Sequence, residues 1–312
     1  MIFYVFLDGV GLGKKDPDKN PFSRFSEGFL KALGGYPSSV PMAVTDANMG
    51  MPGLPQSATG QTAIWTGINP LPRLERHVSG FPTITLRKMI FEASVLKLLS
   101  EEGKEVHFSN CYTDGYLEHS QNKPKLVSAS TLVQIATGKP LKSMEDLRNG
   151  KGLYMDLTHE ILREVAKLSP DDPLFERKNP YEQGKSWKST APNADLLLFE
   201  YFLTDKAGHA MDWDFAKKCI ADLEEFFRGL LDALNPAQDL LLVTSDHGNL
   251  EDLSTKVHTS NPVATLAYGK NAERVLSHIH SLPDIVPQIY SELDCNNSLS
   301  RLDRFRNDWL KV

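Results

Sequence analysis

Leu240-Leu241-Leu242-Val243-Thr244-Ser245-Asp246-His247-Gly248-Asn249 is the stretch that decides the reading of this sequence. Leu240–Thr244 is a continuous apolar run, short enough for a strand, with no alternation of polar residues. Such a run reads as a strand covered on both faces, which is the condition of a parallel sheet between two layers of helices. An acid and an imidazole, Asp246 and His247, come directly after it. They stand where open α/β sheets bind their ligands, beyond the carboxyl ends of the strands.

Other runs repeat the arrangement. Leu196–Leu203 reads as a buried strand that gives way to Thr204-Asp205-Lys206-Ala207-Gly208-His209. Ile2–Leu7 reads as a first strand and stops at Asp8-Gly9. Val263–Ala267 and the short Glu105–Ser109 complete the set. Between them, Phe215–Leu234 carries Ile220, Leu223, Phe227, Leu230 and Leu234 at helical spacing, with Asp212 or Asp214 as a cap and Asn235-Pro236 as a stop. Glu92–Glu102 and Asp284–Leu293 read as further helices, and the stretch from Asn296 onward as a helix packed on the surface. The expected fold is α/β: a doubly wound, mostly parallel sheet with helices on both faces and a small inserted lid. The organisation expected is a single domain over residues 1–312, with residues 120–190 as an irregular insertion rich in Pro, Gly, Lys and Ser.

Composition narrows the function. The chain has 312 residues, of which 41% are hydrophobic, and 40 acids face 34 bases for a net charge of −6. An acidic chain without a basic patch argues against nucleic-acid binding. No apolar stretch approaches the roughly 20 residues that span a membrane. Cys111, Cys219 and Cys295 are scattered and odd in number, which points to a reducing, cytoplasmic setting. Ile2–Leu7 lacks the basic flank of a leader and reads as a strand.

Asp8, Asp205 and Asp246, with His209, His247 and His258, all fall at or after strand ends. Mixed carboxylate and imidazole ligands suit zinc or manganese, and no thiolate lies among them. Asp205 and His209, four residues apart, are close enough to share one ion. Ser57 heads a segment, Ser57-Ala58-Thr59-Gly60-Gln61-Thr62, that reads as a helix start, a place that binds phosphate-like anions. A serine there is a helix cap, a nucleophile or a metal ligand. Gly9-Val10-Gly11-Leu12-Gly13 does not fit the dinucleotide fingerprint, and Ser57 does not fit the hydrolase elbow.

These segments resemble the alkaline phosphatase superfamily, in particular the metalloenzyme domain shared by cofactor-independent phosphoglycerate mutase and phosphopentomutase. The resemblance rests on Asp8-Gly9-Val10-Gly11, Ser57 to Gly67, Thr204-Asp205 with Gly208-His209, Ser245-Asp246-His247-Gly248-Asn249 and His258-Thr259, in that order. It implies two divalent metal ions, zinc or manganese. Asp205, His209 and His258 would hold one, and Asp8, Asp246 and His247 the other, with Ser57 bridging toward the second and attacking phosphorus. Where the mutases have a histidine four residues after the nucleophile, this chain has Gln61. It also has little room for the mutases' large inserted domain. The expected activity is a phosphatase or phosphodiesterase acting on a small phosphorylated substrate through a phosphoserine. A phosphomutase, or a non-catalytic metal-binding relative, is the alternative. Asn110 and His119 or His159 are weaker candidates for contacts to the substrate.

Overall fold

A computed structural model describes residues 1–310. Among these residues six strands form one sheet: β1 Ile2–Leu7, β2 Met42–Thr45, β3 Val106–Phe108, β4 Leu196–Tyr201, β5 Leu240–Thr244 and β6 Val263–Gly269. Their spatial order is β2-β6-β5-β1-β4-β3. The four strands from β5 to β3 run parallel, with Tyr4 opposite both Leu198 and Leu242. β6 and β2 close the other side antiparallel.

The apolar runs follow from two covered faces. Along β1, Ile2, Tyr4 and Phe6 enter one core while Phe3, Val5 and Leu7 enter the other. The first core packs under the helices Ser57–Thr66, Ile84–Ala93, Val95–Glu101 and Ile285–Glu292. Trp65 sits at its centre, its ring edge-on to Tyr4 at 5.5 Å and to Phe6 at 5.2 Å. The second core packs under the long helix Trp213–Ala233. Asp212 caps that helix by accepting from the amides of Asp214 and Phe215.

Several sequence expectations shift in detail. The helix expected over Glu92–Glu102 is two helices, because Ser94 takes an extended conformation and restarts the chain at Val95. Residues 120–190 contain short helices, among them Ala129–Ile135, Met144–Arg148, Glu160–Val165 and Pro180–Ser186. Met144, Leu147, Tyr154, Leu162 and Leu174 from this stretch form a small apolar cluster with Cys111. Asn296–Leu310 is a helix anchored by the fully buried Leu302. Among the described residues no helix is long and apolar enough to cross a membrane.

Candidate metal centre

Parallel pairing brings the carboxyl ends of β1, β4 and β5 to one edge of the sheet. Asp8 is the first residue past β1, Asp246 the second past β5, and Asp205 lies in the first turn of the helix Leu203–Ala210 that comes after β4. Cross-ties fix the three ends. Thr204 Oγ1 donates to the Asp8 carbonyl at 2.6 Å, the Val10 amide to Ser245 Oγ at 2.9 Å, and the Gly9 amide to Asp246 Oδ1 at 3.3 Å. Gly9 has φ +67°, and a Cβ there would stand 2.4 Å from Asp205 Oδ1.

All six expected ligands converge, in the two expected trios. Asp205, His209 and His258 each offer one atom within 4.8 Å of the others, and so do Asp8, Asp246 and His247. His209 Nε2 lies 3.3 Å from Asp205 Oδ2 and 3.3 Å from His258 Nε2. His247 Nε2 lies 3.5 Å from Asp8 Oδ1 and 3.4 Å from Asp246 Oδ2. A tetrahedral ion with bonds of about 2.0–2.1 Å sets its ligand atoms about 3.3 Å apart. The rings of His247 and His258 stack at 3.7 Å, so the trios share a wall.

The donor set tests whether a cation fits. Each histidine turns Nδ1 to a backbone carbonyl: His209 to Lys256 at 2.7 Å, His258 to Pro55 at 2.9 Å and His247 to Gly248 at 3.4 Å. A carbonyl only accepts, so Nδ1 carries the proton and Nε2 presents its lone pair inward. Asp8 Oδ1 and Asp246 Oδ2 are buried with no hydrogen-bond partner. Burial, then repulsion from Asp246, Asp205 and Glu200, drives the Asp8 carboxyl well above its ordinary range. Burial and the Asp205 charge do the same to Asp246. Burial and the neighbouring His258 push His247 well below the ordinary imidazole value, leaving it neutral. Converging lone pairs and orphaned carboxylate oxygens are what a divalent cation satisfies.

Ser57 does not cap its helix. It is the first helical residue, after Gln56, and its Oγ lies 2.9 Å from His247 Nε2. With that nitrogen unprotonated, the hydroxyl donates to it. Thr59, the second hydroxyl of the segment, is fully buried and donates to the Gln56 carbonyl at 3.0 Å. Gln61 Nε2 donates to Asp8 Oδ2 at 3.3 Å and so steadies that ligand. The helix comes this close to β5 because residue 60 is glycine. A Cβ on Gly60 would meet the Asp246 carbonyl at 2.7 Å and Asp246 Cβ at 3.0 Å, both too near. Gly60→Ala should therefore cost about 1–3 kcal/mol of stability by overpacking. Urea denaturation reads this directly, and an unchanged midpoint would contradict it.

Two carboxylates escape sequence reading. Glu251, buried, accepts from the amides of Gly11 and Asn249 at 2.8 Å each, from Asn261 Nδ2 at 3.0 Å and from the Thr259 hydroxyl. It ties the segment of Asp8 to those of His247 and His258. Asn249 in turn donates Nδ2 to Asp205 Oδ1 at 2.7 Å. Glu200, inside the apolar run of β4, is buried and accepts from Ser130 Oγ at 2.7 Å. Burial pushes its carboxyl up to about 7, against the opposing pull of Ser130.

A carboxyl raised on folding binds its proton more tightly in the folded state. It favours folding most below its unfolded value, and that contribution is lost as pH rises toward 7. From pH 5 to pH 8, Glu200 should cost the wild type about 2–3 kcal/mol relative to Glu200→Gln. Urea unfolding of both proteins at the two pH values tests this, and parallel pH dependences would refute it.

The weaker candidates divide. Asn110 lines the site, but its amide is committed to the Glu200 backbone, donating at 2.8 Å and accepting at 2.9 Å. It holds β4 in place, and the expected contact to phosphate is not what its geometry serves. His119 lines the cavity beside the trios. His159 is buried elsewhere, its Nδ1 on the Leu174 carbonyl at 3.2 Å. The cavity itself is about 1000 Å³, and Asp8, Ser57, Gln61 and Asp205 are among the residues that line it.

Comparison with known proteins finds similarity in sequence over part of the chain and in fold over most of it. Residues 176–297 match the model of the Metalloenzyme superfamily. The 2,3-bisphosphoglycerate-independent phosphoglycerate mutase of Natronomonas pharaonis is 32% identical over 138 residues, 40% of this chain and 27% of that protein. The same-named protein of Yersinia pestis strain Pestoides F is 30% identical over 107 residues, 32% of this chain and 21% of that protein. The chain thus spans about a quarter of the length of the curated relatives it matches. Among solved structures, PH0037 of Pyrococcus horikoshii superposes with a TM-score of 0.54 at 13% identity, over 94% of this chain and 96% of that one. The alkaline phosphatase of Thermus thermophilus superposes with a TM-score of 0.51 at 12% identity, over 97% and 95%. The likeness to these two structures is one of fold.

Proposed function

We propose that this chain, which belongs to the alkaline phosphatase-like superfamily of metal-dependent phosphoryl-transfer enzymes, is a phosphoric-ester hydrolase that works through Ser57. The observation that carries the reading is the place of the Ser57 hydroxyl, at a helix start and 2.9 Å from the same His247 Nε2 that faces Asp8 and Asp246, which sets it beside the second ligand trio. Asp205, His209 and His258 would hold one divalent ion, zinc or manganese, and Asp8, Asp246 and His247 a second. Such ions, when bound, neutralise phosphoryl oxygens and lower the pKa of a nearby hydroxyl.

The chain's own residues supply the rest. The amides of Ser57 and Ala58 open the helix without intrahelical acceptors, and with the helix dipole they orient the phosphoryl oxygens. Ser57 Oγ passes its proton to solvent water and bonds to phosphorus as the ester P–O bond breaks. The departing alkoxide takes a proton from solvent water and leaves as the alcohol. Water then opens the phosphoserine, releasing phosphate and restoring the hydroxyl. Solvent access supports hydrolysis: the His209 side chain is 47% exposed, so the first trio borders bulk water. A phosphomutase needs its intermediate sequestered from water. That second reading draws on the relatives' printed activity. The three cysteines are buried and unpaired, which supports our placing the enzyme in the cytoplasm.

The test is a screen of phosphate mono- and diesters with zinc or manganese. Release of inorganic phosphate supports the hydrolase. Interconversion of isomeric esters without release would replace it by a mutase.

A further inference from the structure

The cavity above the trios is built for something other than a small sugar acid. At about 1000 Å³ it stands at the upper end of small-molecule sites. Its walls are mainly apolar and aromatic. Tyr112 and Tyr116 stack at 4.7 Å with their planes 14° apart, and both hydroxyls are tied back to Thr131 at 3.0 Å. Phe202, Tyr154 and Met144 continue the lining. At the rim, Phe81, Leu126 and Val165 are 48%, 43% and 58% exposed. Large apolar side chains left in water and gathered around one opening mark a binding surface.

Charge points the same way. The Arg148 guanidinium in the wall is paired with Asp172 at 2.8 Å, and Lys206 Nζ lies over the Phe202 ring at 5.0 Å. Asp114 and Glu200 add carboxyl groups beyond those of the trios. A substrate with a second acid group, such as a phosphoglycerate, would find Asp114 and Glu200 in this wall, a guanidinium already engaged and the Lys206 ammonium held over the Phe202 ring. An uncharged, apolar group would find matching surface.

We infer that the substrate is a phosphate ester of an apolar alcohol, with the phosphoryl group by Ser57 and the hydrocarbon along the wall from Tyr116 to the Leu126 and Val165 rim. This rests on the hydrolase reading and names its substrate class. An alkyl chain and an aromatic ring system share this chemistry.

The test uses the zinc- or manganese-loaded protein with n-alkyl phosphates from ethyl to dodecyl, below their micellar concentrations, plus 2-naphthyl phosphate, glycerol phosphate and 3-phosphoglycerate. The expected kcat/KM rises about fourfold per methylene, roughly four-thousandfold over the six methylenes from ethyl to octyl. A continued rise beyond octyl assigns a lipid-like chain. A naphthyl ester above all alkyl esters assigns an aromatic alcohol. Either supports the inference. A flat or falling series, or 3-phosphoglycerate above octyl phosphate, overturns it.

Leu126→Asp and Val165→Asp should each lower the octyl value about tenfold and flatten the slope. Ile84→Asp, at an exposed apolar position outside the cavity, should keep the slope. Equal flattening by Ile84→Asp would remove the cavity from the explanation. Alkylphosphonates, which cannot be hydrolysed, separate the two readings by calorimetry on Ser57→Ala. Affinity that rises with chain length while no ester turns over sinks the hydrolase and retains the apolar ligand. Turnover without any chain-length trend sinks the apolar ligand alone.

Discussion

Ser57→Ala should lower metal-dependent ester hydrolysis by a factor on the order of 10³ or more while leaving fold and metal content nearly intact. The separation comes from where the side chain sits. Ser57 is the first helical residue and its Oγ caps nothing, so alanine, the best helix former, fits the backbone without strain. One hydrogen bond is lost, to His247 Nε2 at 2.9 Å, worth about 1 kcal/mol of stability. The nucleophile has no such substitute. Thr59, the nearest hydroxyl in sequence, points at the Gln56 carbonyl from a fully buried position. Steady-state rates, metal analysis and urea denaturation on wild type and variant decide the matter. A variant with the wild-type rate would remove Ser57 from the chemistry. A variant lacking metal would show that the serine is chiefly a ligand.

The part of this site that sequence reveals is the part fixed by strand direction. Once Ile2–Leu7, Leu196–Leu203 and Leu240–Thr244 read as parallel buried strands, Asp8, Asp205 and Asp246 must share one edge. The i, i+4 spacing then puts His209 on the same helix face as Asp205. Apolarity does not encode direction, however. β6 is also largely apolar, with Val263–Ala267 buried, yet runs antiparallel to β5. β2, Met42–Thr45, has no readable pattern because it is a half-exposed edge of four residues.

Buried charges are the hardest to see from sequence. Glu200 is one acid within an apolar run, and its significance depends on Ser130, which is 70 residues away in sequence. Glu251 gains its role only when Gly11, Asn249, Thr259 and Asn261 are gathered around it. The short helices between residues 120 and 190 have too few turns to show a period. They are set by local caps, such as the reciprocal Ser143–Asp146 box, and by the cluster around Met144 and Tyr154.

Chelation should abolish hydrolysis, and restoration by zinc or manganese should occur with an affinity that tightens as pH rises. The acids set this sign. In the metal-free protein, burial and repulsion from neighbouring carboxylates, Asp205 for both and Asp246 for Asp8, hold Asp8 and Asp246 well above their ordinary values, so protons are retained where free carboxylates would be ionised. Ligation requires those protons to leave, and affinity then grows about tenfold per pH unit for each proton released. His247 adds nothing to this count, because its depressed pKa leaves Nε2 already unprotonated. Stability obeys the same proton balance. Raised carboxyls favour the metal-free fold most at pH values below their unfolded range, and that support is lost as pH rises. Bound cations remove the penalty, and metal at about 1,000 times its Kd should add about 4 kcal/mol. Calorimetric titration at pH 6 and pH 7.5, in buffers of different ionisation enthalpy, counts the protons directly. An affinity independent of pH with no proton release would mean that the two aspartates are not the ligands, whatever their proximity to His247.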